Sequence, residues 1–104
     1  MQRVNKGKHE QELPSARTIR RTCNKELYRT IKRLKRYIEP ELVVQAEKLY
    51  YHKVAMNLLW IAENGSNRKL LADWFEQHVA PEIASLWQVD VTQLAAAFRD
   101  GFGG

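Results

Sequence analysis

Apolar residues recur along most of this chain at the three- and four-residue spacing of helices, and a strand-like pattern is confined to the short stretch from Trp87 to Val91. Projecting Ala16 to Ile38 at about 100° per residue gathers Ala16, Ile19, Cys23, Leu27, Thr30, Ile31, Leu34, Tyr37 and Ile38 on one side. Pro14 and Ser15 precede this stripe and suit a helix entry, proline by its fixed φ and serine as an acceptor for an unpaired N–H. A long first helix is therefore expected over about residues 15–39, ending where Pro40 removes a donor and disfavours helical geometry at Glu39. A second long helix is expected over about residues 41–63. Its later half, from Val54 to Ala62, is apolar in nearly every direction, which predicts a central, buried position.

Asn64-Gly65 reads as a helix stop, glycine accepting the left-handed conformation without a Cβ penalty. Three shorter helices follow: Arg68 to Val79, Glu82 to Gln88 beyond Ala80-Pro81, and one capped by Asp90 or Thr92 that ends at Arg99 before Gly101. The expected fold is all-α, a small single-domain bundle of about five helices, two long and three shorter, spanning residues 14–104. Residues 1–13 are polar and aperiodic and read as a flexible basic arm.

A chain of 104 residues fits one core, and 44% hydrophobic with 28% charged residues is ordinary globular usage, which excludes disordered and fibrous classes. The lone Cys23 cannot make an internal disulfide, and the N-terminal residues hold no apolar run of the secretory kind, so a reducing, cytoplasmic setting is expected. No membrane span is expected either, because the densest apolar stretch, Val54 to Ala62, is far short of the roughly twenty residues a bilayer needs.

Charge changes the picture more than composition does. Through Glu39 the chain carries twelve Lys and Arg against four Glu, a net of +8, and from Pro40 onward five against eight acids, a net of −3. On the helical projection Arg17, Arg21, Lys25, Arg29, Lys32, Arg33, Lys35 and Arg36 fall opposite the apolar stripe, with Arg20 inside it. Glu26 is the only acid between Ser15 and Ile38, so intrahelical ion pairs do not account for the pattern. A rigid row of cations suits a polyanion, since each phosphate contact releases condensed counterions and the arginine fork matches phosphate oxygens. The expected activity is nucleic-acid binding, to DNA or RNA, through Arg17, Arg21, Lys25, Arg29, Lys32, Arg33 and Arg36. The alternative is a non-catalytic interaction module, a homodimer or a small subunit whose basic face docks on an acidic protein surface.

A second element, Ile83 to Phe98, resembles a helix-turn-helix: an Ile-Ala pair, a capping Asp90-x-Thr92, then a helix of apolar spacing. It departs from the motif at Gln88, where the turn usually has glycine, and its second helix offers little beyond Gln93 and Arg99 for reading base edges. Two short packed helices account for the same residues.

Trp60, Trp74 and Trp87 sit at helical spacing with other apolar residues and are expected in the core. His9, His52 and His78 are far apart and no Cys or His stands at metal-ligand spacing, so neither a metal nor a cofactor is expected. No catalytic constellation emerges, and the chain reads as a binding protein rather than an enzyme. Phe102-Gly103-Gly104 resembles a diglycine tail, but a frayed end is the plainer expectation.

Overall fold

Ser15 opens α1 (Ala16–Leu34), its Oγ accepting from the Thr18 N–H at 3.2 Å and so satisfying one of the donors that a helix start leaves unpaired. The structure is a computed structural model that describes residues 13–104, so the arm read over residues 1–13 lies outside the described residues except for Leu13. Ile19, Cys23, Leu27 and Thr30 of the predicted stripe are buried.

The helix ends at Leu34 rather than running on to Glu39. Lys35 turns left-handed at φ 57°, and its N–H closes the last turn on the Ile31 carbonyl at 3.2 Å. Residues 36–39 leave the helix, Ile38 entering the core while Tyr37 stays 79% exposed. Periodicity missed this stop because Ile38 satisfies the helical stripe and the core alike; only the turn at Lys35 lets the next helix fold back on α1.

Pro40 begins α2 (Pro40–Met56), which packs on α1. The predicted second helix is also shorter than expected. It breaks at Asn57, with φ −122° and ψ 27°, before α3 (Leu58–Glu63). The Asn57 side chain donates to the Lys53 carbonyl at 2.9 Å, the local bonding by which asparagine competes with a continuing helix. Nor is this region central: α3 has no buried residue, and Met56 and Leu59 are 71% and 67% exposed.

The centre belongs instead to the last helix. Asn67 caps α4 (Arg68–His78), Val79 joins it to α5 (Ala80–Trp87), and Asp90 caps α6 (Val91–Phe102) by accepting from the Gln93 N–H at 2.9 Å. α6 packs against α1, α4 and α5, burying Leu94, Ala95, Ala97, Phe98 and Phe102. Its alanines allow neighbouring helices to approach, which bulk hydrophobicity does not register. Phe75 of α4 and Phe98 lie face to face with centroids 3.6 Å apart, and Tyr50 of α2 meets both edge-on at 5.1 and 6.1 Å. Leu27 and Ile83 are fully buried and extend this core to α1 and α5.

The tryptophans divide. Trp87 is buried with its Nε1–H donating to the Leu42 carbonyl at 3.0 Å, Trp74 is half-buried, and Trp60 is exposed, contrary to the expectation that all three are core residues. The C-terminal end is packed rather than frayed: a Cβ at Gly104 would stand 2.7 Å from the Arg68 carbonyl oxygen. Among the described residues no helix is long and apolar enough to cross a membrane.

Candidate nucleic-acid interface

Arg17, Arg21, Lys25 and Arg29 stand on α1 at four-residue steps, and Lys32 and Arg33 follow in its last turn; all six are exposed. From Arg17 to Lys32 the helical rise spans about 22 Å. Arg36, placed on the same helix by the sequence, is exposed but lies beyond it, in the link to α2, as Lys35 does at the turn. The rod itself is unbroken. Its last-turn cations also face the favourable, negative end of the helix dipole.

Four of the eight acidic residues of the second half are occupied elsewhere. Arg99 bridges Asp73 and Glu76, Lys53 pairs with Glu82, Lys69 approaches Asp73 at 3.3 Å, and Asp90 caps α6. The Arg99 bonds hold the Asp73 carboxyl below its ordinary value, with Lys69 adding to the effect. Among the described residues Asp100 is the one acid in ion-pair contact with an α1 cation, its Oδ2 accepting from Arg33 Nε at 2.7 Å, while Glu26 acts on Arg29 only at longer range. Arg33 also donates to the Arg29 carbonyl at 3.2 Å, so its head is held between the α1 backbone and Asp100 of α6. Among the described residues Arg17, Arg21, Lys25, Arg29, Lys32 and Arg36 have no carboxylate partner.

One residue of this face escaped the sequence reading. Tyr28 is 63% exposed, stands in sequence between Lys25 and Arg29, and has the Lys32 ammonium 5.4 Å from its ring centroid. On the same helical projection it falls between Arg17 and Arg21, a position that was legible but invisible to a search for charge alone. An exposed aromatic ring among cations is the arrangement on which nucleic-acid bases stack.

The other sequence candidates take structural places. In the helix-turn-helix-like segment, Gln88 occupies the left-handed position at φ 55°, so the turn forms without glycine. Its second helix is α6, whose apolar side is buried, and the outward residues are Val91, Thr92, Gln93, Ala96 and Asp100. Such a surface has little with which to read a groove. Cys23 is buried, and burial together with the nearby Glu26 charge pushes its thiol up to about 12, leaving no thiolate nucleophile near neutral pH. His52 and His78 are both exposed and on separate helices. Among the described residues no three His, Cys, Asp or Glu side chains gather as metal ligands would.

Compared with known proteins, the chain matches no protein-family model, no curated protein and no solved structure.

Proposed function

We propose that this protein binds nucleic acid through its phosphates, using the outer face of α1, with Tyr28 available to stack on an unpaired base. The observation that carries this reading is the row Arg17, Arg21, Lys25, Arg29 and Lys32: exposed, borne on one rigid helix, and without carboxylate partners among the described residues. Cations that the fold neither buries nor pairs lower stability by mutual repulsion, so their accumulation is better accounted for by an external polyanion than by folding. The same reading makes the chain a binding protein rather than a catalyst, acting in a reducing compartment such as the cytoplasm, where Cys23 stays a thiol.

The test is electrophoretic mobility shift or fluorescence anisotropy with duplex and single-stranded probes. If about four phosphates are neutralised, affinity for a duplex falls roughly a hundredfold between about 50 and about 200 mM salt. Arg21→Glu combined with Lys25→Glu lowers affinity by at least about tenfold with the circular dichroism spectrum unchanged, because neither side chain holds the fold. Tyr28→Ala weakens single-strand binding by about fivefold or more and spares the duplex, whereas Tyr28→Phe retains both. Salt-insensitive binding, or none at low salt, rejects the reading.

A second reading, docking on another protein, draws on a different observation: Met56, Leu59 and Trp60 form exposed apolar surface around the junction of α2 and α3. It covers both an acidic partner for the basic face and a homodimer. A protein partner retained after nuclease treatment, and lost from Leu59→Ser with Trp60→Ser, favours it.

A further inference from the structure

Behind the basic face, α1 contributes to a half-open cavity of about 310 Å³ lined also by α2, α3, α4 and Phe102 of α6. Its volume lies at the lower bound of small-molecule sites, about 300 Å³, and equals the space of about ten water molecules. Most of the wall is apolar, with Ile19, Val54, Leu58, Ile61, Leu71 and Trp74 prominent in it. The space is half open to solvent, so a ligand entering it displaces water from apolar walls. One wall is α3, a six-residue helix with no buried side chain and no side-chain cap at its N-terminus, so the site can open without disturbing the aromatic core.

Polar groups are few in this cavity, and they are unequal. Arg68 is already committed: its Nε and Nη2 both donate to the Phe102 carbonyl, at 3.1 and 2.9 Å, and its guanidinium lies 3.6 Å from the Phe102 ring centroid. Tyr50 donates its hydroxyl to Glu26 Oε1. The Cys23 thiol is neutral. Glu26 is the one carboxylate lining the cavity; its Oε2 accepts from no described residue, and burial disfavours its charge against the partly opposing effects of Tyr50, Arg68 and Arg29.

We propose that this cavity binds a small amphiphilic amine, an apolar body of about ten to twelve non-hydrogen atoms whose protonated amino group pairs with Glu26. The apolar walls take the body, and the ammonium donates to the Glu26 oxygen left without a donor, adding to the Arg68 and Arg29 charges that already act on the carboxylate. A carboxylate ligand is disfavoured by Glu26, and a neutral alcohol of the same shape keeps the walls but loses the charge.

Phenylbutylamine, phenylbutanol and phenylbutyrate, titrated into the full chain, separate these cases through Trp74 fluorescence and the methyl resonances of Ile61 and Leu71. The amine is expected to saturate one site, to bind about tenfold more tightly than the alcohol, and to shift those methyl signals, with phenylbutyrate weakest. Glu26→Gln brings the amine to the level of the alcohol and leaves the alcohol unchanged. Ala62→Trp, which fills the space from α3 without touching Glu26, removes binding of both. No saturable binding of the amine to the folded protein, equal affinity for the amine and phenylbutyrate, or an amine preference that survives Glu26→Gln overturns the proposal. None of these readouts depends on whether α1 binds nucleic acid.

Discussion

The packed end of the molecule, where α4, α5 and α6 meet, and the α3 end are made of residues of similar hydrophobicity, yet they reach opposite states. At the first, Phe75, Phe98, Ile83 and Leu94 are essentially inaccessible; at the second, Met56, Leu59 and Trp60 face solvent. Amount of apolar surface does not separate them, because Val54 to Ala62 is the densest apolar stretch of the chain. Availability of partners does. α6 has helices on three sides and alanines that let them come close, whereas α3 is six residues long and leans mainly on its own predecessor, α2. A helix apolar all round therefore has surface left over, which here lines a cavity on one side and faces water on the other.

The widest break in this contrast comes from Phe98→Ala, which removes a ring stacked on Phe75 and Phe102 and edge-packed by Tyr50. It should cost about 3–5 kcal/mol in urea or thermal unfolding, a large fraction of a small domain's stability. A loss below about 1 kcal/mol would mean that this end is no better packed than the other.

At the seam between the two ends stands Glu26, which lines the cavity and accepts the hydroxyl of Tyr50, itself packed on the aromatic pair. Burial raises the Glu26 carboxyl above its ordinary value near 4.5, outweighing the opposing effects of Tyr50, Arg68 and Arg29. The folded state therefore holds this proton more tightly than the unfolded state. Its contribution to stability is full below about pH 4.5 and is lost as pH rises through the raised value. Unfolding of wild type and Glu26→Gln across this acid range should show wild type losing stability relative to the variant as pH increases. Parallel curves would mean that the carboxyl is solvated like any surface acid.

The smallest effect is expected at the open end. Leu59→Ser should change stability by no more than about 0.5 kcal/mol, since the side chain is already in water, while reducing any self-association. A loss of about 2 kcal/mol or more would show that α3 is held by contacts beyond those present in the monomer.

Much of the candidate interface could be read from the chain, for a physical reason. Charge periodicity on a helix is local: once Ser15 starts α1, the directions of Arg17, Arg21, Lys25 and Arg29 follow from 100° per residue. Arg33 shows where local reading stops, because its neutralisation comes from Asp100, distant in sequence and brought near by the packing of α6 on α1. Arg36 shows the same at the helix end, its place decided by the left-handed turn at Lys35. The cavity was not legible at all. It gathers Ile19, Glu26, Tyr50, Leu58, Arg68 and Trp74 from four helices.

By itself, then, the sequence determined that the chain is helical, where most helices begin, and which side of α1 carries charge, since these depend on caps, prolines and spacing within a few residues. Only the tertiary structure decided which helix is central, which acids meet which bases, and where space is left unfilled. Those outcomes depend on how closely whole helices can approach one another, and the alanines of α6 and the short length of α3 settle that in three dimensions.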